Sequence, residues 1–99
     1  MLTSKQRSVL KGKASVLDAI GQVGKGGISP QMIYSFSQAL DNRELIKITV
    51  LPNSEKSAKE IGAELAQTLQ AEFVIAIGKK VVLYRRSEKE GVAHIEIDK

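Results

Sequence analysis

The sequence predicts an α/β fold: a single domain in the order α-β-α-β-α-β-β, with a four-stranded mixed sheet packed with helices. Three observations predict it. The chain has 99 residues, room for one hydrophobic core but not for two. Segments with apolar residues three and four apart alternate with short continuous apolar runs, so that strands lead through helices into strands; such crossovers make right-handed parallel pairs. The last two apolar runs are separated only by Gly78-Lys79, the spacing of an antiparallel hairpin.

The elements follow in order. Thr3 to Leu17 reads as a helix, with Leu10, Ala14 and Leu17 as its apolar stripe and Thr3 or Ser4 as its cap. Arg7 and Lys11, four apart, lie along one flank of that stripe. Ala19 to Val23 is a short apolar run ending in glycine, a brief strand. Ser29-Pro30 combines a preferred N-cap with a preferred first helical residue, and a helix runs from there to about Asn42. Its inner face carries Ile33, Phe36, Ser37 and Leu40. Glu44 to Leu51 is a mostly buried strand closed by Pro52-Asn53. Ser57 and Glu60 make a capping box, with Ser54 as a rival cap one turn earlier, for a helix reaching about Gln70 whose stripe is Ala58, Ile61, Leu65 and Leu69. The hairpin strands are Glu72 to Ile77 and Lys80 to Tyr84. From Ser87 onward the chain is first charged and then alternates Ala93, Ile95 and Ile97 with His94, Glu96 and Asp98, a charged tail or a short extra strand. Residues 1–86 are thus the expected domain and 87–99 an appendage.

Charge is unevenly divided. The formal net charge is +4, and all of it resides in residues 1–50, with seven bases to three acids; residues 51–99 hold eight of each. The first thirteen residues contain four bases and no acid. A one-sided basic balance fits a polyanionic partner as well as it fits a solubilising surface. The polar, basic start is neither a signal peptide nor an anchor, and no apolar stretch approaches the roughly 20 residues of a membrane span. The expectation is a cytoplasmic monomer.

Several chemistries have no residues to support them. There is no cysteine, so disulfides, thiolate zinc sites and cysteine nucleophiles are excluded. His94 is the single histidine and lies in the tail, which supplies neither a typical zinc site nor a triad base held in a cleft. The paired carboxylates, Asp41 with Glu44 and Glu88 with Glu90, have ordinary surface-loop spacing. The expectation is therefore a binding protein with no catalytic residue, metal or cofactor.

Gly24-Lys25-Gly26-Gly27 is the segment that points to a ligand. Glycines let a backbone approach closely and adopt positive φ, and this turn runs into the start of a helix, where phosphate binds well. Lys25 adds a charge at the tip. The spacing is not that of a nucleotide P-loop, because Gly26 is followed by Gly27 and not by lysine; nor is it a dinucleotide fingerprint, because Ser29 stands where a third glycine is needed. What remains is Gly-x-x-Gly between a strand and a helix, the arrangement that KH domains use on single-stranded RNA. Taken alone it also fits an ordinary turn, and Gly21 to Gly24 matches it too. Lys5, Arg7, Lys11, Lys79, Lys80, Arg85 and Arg86 would widen a basic footprint around Lys25 if they share its face. Tyr84 and Tyr34 could stack on bases, although with four aromatics in all a core role is the reading preferred for both, and Phe36 and Phe73 are expected in the core.

Blocks of residues now support a resemblance. Leu2-Thr3-Ser4-Lys5-Gln6-Arg7 with Leu10-Lys11, Val23-Gly24-Lys25 with Gly27, Glu44-Leu45-Ile46-Lys47, and Ile77 to Arg85 resemble, in order, the CRM domain (chloroplast RNA splicing and ribosome maturation) in its bacterial stand-alone, YhbY-like form. The resemblance covers residues 2 to about 86. It implies a shape similar to the C-terminal domain of translation initiation factor three, RNA binding through the Gly-x-x-Gly loop and nearby bases, association with precursors of the large ribosomal subunit, and no enzymatic activity. Two departures stand out: Ala19-Ile20-Gly21 where a proline and two valines are common, and Ser15 where a histidine is common. An alternative, independent of the resemblance, is a protein-interaction module that pairs through its C-terminal strand.

Overall fold

A computed structural model describes residues 2–97. Met1, Asp98 and Lys99 lie outside the described residues, and with them the last polar position of the tail's alternation. The elements are α1 (Ser4–Ala14), β1 (Gln22–Val23), α2 (Pro30–Arg43), β2 (Leu45–Val50), α3 (Ala58–Leu69), β3 (Glu72–Ile77) and β4 (Lys80–Tyr84). The predicted order is the observed one.

Local chemistry explains the boundaries. Thr3 caps α1, its hydroxyl accepting from Gln6 N–H while the Gln6 side chain accepts from Thr3 N–H. The same reciprocal box, Ser57 with Glu60, starts α3, and it holds the Glu60 carboxyl below its ordinary range through hydrogen bonds from Ser57. Each box is worth about 1 kcal/mol. The first helix stops at Ala14, three residues short of the predicted Leu17. Ser15 turns its hydroxyl back onto Gly12 C=O at 2.6 Å, a local bond that competes with continuing the helix. Leu17 still packs below the helix. The first strand is shorter than predicted, yet its bonding to β2 begins earlier: Ile20 N–H donates to Lys47 C=O and Thr49 N–H to Gly21 C=O.

The sheet order is β1-β2-β4-β3. β1 and β2 are the expected parallel pair. β2 and β3, joined by the second crossover, are not neighbours, because the hairpin folds β4 back between them, antiparallel to both. A bulge at Val74 interrupts β3 and turns both Val74 and Ile75 toward α1.

The sheet has two unequal faces. On one, α2 and α3 cover Ile46, Ile48, Val50, Val81 and Leu83 with Phe36, Leu40, Ile61, Leu65 and Leu69 in a continuous core. On the other, α1 contributes only Leu10 and Ala14 as fully buried residues over Leu45, Val74, Val82 and Tyr84. The described tail, 85–97, forms no strand. Instead it lays Ile95 and Ile97 onto this second cluster. The alternation that predicted an extra strand is therefore used for packing against the chain's own sheet.

Candidate nucleic-acid interface

The glycine turn closes on a hydrogen bond from Gly27 N–H to Gly24 C=O at 3.0 Å. Two of its three glycines have structural reasons. A Cβ on Gly24 would come within 3.1 Å of both Leu51 and Asn53, so the turn lies tight against the β2–α3 connection. Gly27 has φ +72°, which a side chain disfavours. Gly26 has neither constraint: nothing lies within 4 Å of its missing Cβ, and its φ is not positive. The fold gives no reason for a glycine there, and the backbone at that point is open.

The start of α2 contributes less to anion binding than its sequence suggests. Ser29 Oγ accepts from Met32 N–H at 3.2 Å, and Pro30 has no N–H. Of the first three helical residues only Gln31 retains an uncommitted N–H, so the turn's own backbone and Lys25 carry any attraction for phosphate.

Three connections meet at this end of the sheet. A hollow of about 150 Å³ separates the turn from Ser54, Glu55 and Lys56 at the approach to α3. The same three residues border the Gly78-Lys79 hairpin on their other side. Lys79 C=O accepts from Val50 N–H at 2.7 Å, and Lys80 Nζ donates to Thr49 Oγ1 at 2.7 Å, fixing the hairpin beside the end of β2. Lys25, Lys79 and Lys80 are exposed here. Lys56, also here, is paired with Glu64 at 2.6 Å, and this partner raises its affinity for its proton. Lys11 lies near the C-terminal end of α1, beside Ile77 and Lys80.

The remaining predicted bases are elsewhere. Arg85 and Arg86 follow β4, roughly 16 Å from Lys80 at an ordinary strand rise. Lys5 is exposed on the first turn of α1, which starts at that far end, next to Tyr84 and Arg86. Two of the predicted bases have internal partners instead of facing solvent freely. Arg85 is folded inward: its guanidinium donates to Leu69 C=O at 2.8 Å, to Ser37 C=O at 2.9 Å and Ser37 Oγ at 3.1 Å, and to Asp41 at 2.9 Å. It ties the end of α3 to α2. Arg7 donates to Phe73 C=O and, at 2.6 Å, to Val74 C=O, clamping α1 to the bulge of the edge strand β3. A ligand would have to compete with these internal bonds for either guanidinium. Arg86 is exposed, but apart from the turn.

Two further residues differ from expectation. Tyr84 is buried, as predicted, but Tyr34 is 65% exposed on α2, its hydroxyl accepting from Gln38. Lys47 was not singled out by the sequence. It stands half-buried on the α1 face of β2, its Nζ donating to Leu17 C=O at 2.9 Å. Its position in an alternating strand, odd-numbered with Leu45 and Thr49, was the available signal.

Comparison with known proteins decides the family. The CRS1/YhbY (CRM) domain model matches residues 2–85. The chain belongs to this CRM domain family. It is 42% identical over 89 residues to "Probable RNA-binding protein YqeI" of Bacillus subtilis, covering 90% of this chain and 93% of that protein. It is 32% identical to an "RNA-binding protein" of Haemophilus influenzae, with 89% of each covered. The solution structure of the Staphylococcus aureus protein SAV1595 superimposes with a TM-score of 0.77 at 40% identity, covering 96% of this chain and all of that one. The CRM match ends at Arg85, the residue that locks α2 to α3, and the tail that covers the second face lies beyond it. Among the described residues no group of His, Cys, Asp or Glu could hold a metal ion, and no helix is long and apolar enough to cross a membrane.

Proposed function

We propose that this CRM domain binds RNA, with the turn at Gly24–Gly27 against the phosphate backbone and Lys25, Lys79 and Lys80 neutralising it. The observation that carries this reading is Gly26: an open glycine that the fold itself does not require, beside an exposed lysine, in a chain whose relatives are named for RNA binding. The role is binding without a reaction. Following the family resemblance, the RNA is ribosomal, in a precursor of the large subunit, and the chain acts in the cytoplasm as an assembly factor.

Two measurements test it. If about four phosphates are neutralised, log affinity for single-stranded RNA falls with log salt at a slope of roughly −3. A salt-independent affinity contradicts the proposal. Crosslinking in cells, followed by identification of the RNA and its particle, tests the ribosomal assignment; recovery of only messenger RNA would remove it. Gly26→Asp, whose Cβ meets nothing within 4 Å, should leave the melting temperature nearly unchanged and abolish binding.

A further inference from the structure

Strand register places a second surface near the turn. On the α1 face, cross-strand pairing aligns Lys47, Val82 and Ile75 in one row and Thr49, Lys80 and Ile77 in the next. Cross-strand partners project to the same side of a sheet, so the two rows form one continuous patch. Lys11 and Ala14 of α1 and the capping Ser15 border it and leave a groove of about 190 Å³. Its floor is aliphatic: Ile75, Val82 and Ile77, the last 53% exposed. Its rim is cationic: Lys11, Lys47 and Lys80, with no acid lining it. Lys47 and Lys80 donate to the neutral oxygens of Leu17 and Thr49, and among the described residues neither they nor Lys11 make an ion pair.

An exposed apolar floor ringed by free cations suits a ligand with a flat apolar face between anionic groups. We infer that this groove holds one unpaired nucleobase of the bound RNA strand, its face on Ile77 and Ile75 and its flanking phosphates on Lys80 and Lys11. The inference rests on the RNA reading above and extends it from backbone contact to contact with a base. Lys80 joins the two sites, lying at the hairpin beside the turn and on the rim of the groove. Lys80 thus carries positive charge from the hairpin end of the sheet onto this face. A base laid on these aliphatic side chains would bury its apolar face without a hydrogen bond to its edge, so the groove adds affinity with little sequence preference.

The test compares a fluorescent single-stranded RNA of mixed sequence, about ten nucleotides long, with inorganic polyphosphate, which has the charge but no bases. Ile77→Ser should weaken RNA binding several-fold and leave polyphosphate binding as it was. Ile77→Phe, with a larger flat surface, should tighten RNA binding, a gain that misfolding cannot produce. Lys11→Gln should weaken both ligands and make the salt slope shallower by about 0.7. Unchanged RNA affinity in both Ile77 variants, or equal losses for RNA and polyphosphate, overturns the inference. So does displacement of RNA from the groove by polyglutamate at comparable charge concentration, which would assign it to an acidic protein segment. Loss of RNA binding in Gly26→Asp alongside unaffected Ile77 variants would leave the proposed function standing and the base site refuted.

Discussion

At the Leu45–Tyr84 end of the sheet, Glu44 and Arg85 serve the fold; at the Thr49–Lys80 end, Lys25 and Lys79 face solvent. Glu44 is fully buried, with a backbone φ of +65°, and its carboxylate accepts from Ser87 N–H at 2.6 Å and Ile95 N–H at 2.7 Å, with His94 Nδ1 at 2.6 Å. Arg85 beside it spans α2 and α3. At the opposite end Lys25 and Lys79 make no ion pair among the described residues and project from turns. A base or acid in the sequence therefore does not announce a binding role. What separates the two ends is the supply of internal partners: buried carbonyls and amides at one, open turns at the other.

Removing the buried acid gives the sharpest test of this contrast. Glu44→Ala leaves two tail amides and an imidazole without their acceptor, and should cost about 3 kcal/mol or more. Urea unfolding measures the loss, and hydrogen exchange at Ile95 should show the tail released. A cost below 1 kcal/mol would mean that the tail is not held by this carboxylate. Protonation acts on the same bonds. Burial alone would raise the Glu44 pKa, but the hydrogen bonds from His94, Ser87 and Ile95 outweigh it and hold the group below its ordinary 4.5. With the folded value depressed, the contribution is complete above about pH 4.5 and is lost as the pH falls through the lower folded value. Glu44→Gln should lack this acid limb.

Arg85→Ala should come next, at about 2–3 kcal/mol, because it leaves the carbonyls of Leu69 and Ser37 unpaired at a junction that is still partly solvated. RNA affinity, measured on the protein that remains folded, should be unchanged. A large affinity loss with little loss of stability would return Arg85 to the interface. Arg7→Ala is smaller, about 1–2 kcal/mol, since the two carbonyls it clamps lie at a sheet edge that water can reach. Loss of the clamp also bares the edge of β3, so concentration-dependent self-association should appear in sedimentation.

These arginines show where sequence reading stops. The hairpin, the Ser57–Glu60 capping box, a cap at Thr3 or Ser4 and the Ser29-Pro30 start were legible because their partners are within three or four residues, and the hairpin strands were predicted with their observed boundaries. Arg85 was not, because its partners lie 16, 44 and 48 residues away. The Arg7 partners are 66 and 67 residues distant. The insertion of β4 between β2 and β3 was equally hidden: apolar runs fix which residues are strands, while the neighbour order depends on how the crossover and the hairpin share the same face. Tyr34 was expected inside because aromatic residues are few, but its helical position puts it outside.

The smallest expected change in stability separates conformation from contact at the open end. Gly27→Ala forces a side chain into a positive φ and should cost about 1 kcal/mol. Gly26→Ala, one residue away, meets nothing and needs no such φ, so its effect should be near zero or stabilising by up to about 0.5 kcal/mol through the unfolded chain. If RNA lies against the turn, the added methyl group at position 26 nevertheless pushes the backbone away from phosphate, and affinity should fall several-fold. Stability and affinity then move in opposite directions, which loss of folded protein cannot mimic. Thermal melting and RNA titration on the same preparation decide it: equal affinity for Gly26→Ala and the parent would detach the turn from the RNA and leave the hairpin lysines and the α1 face as the interface.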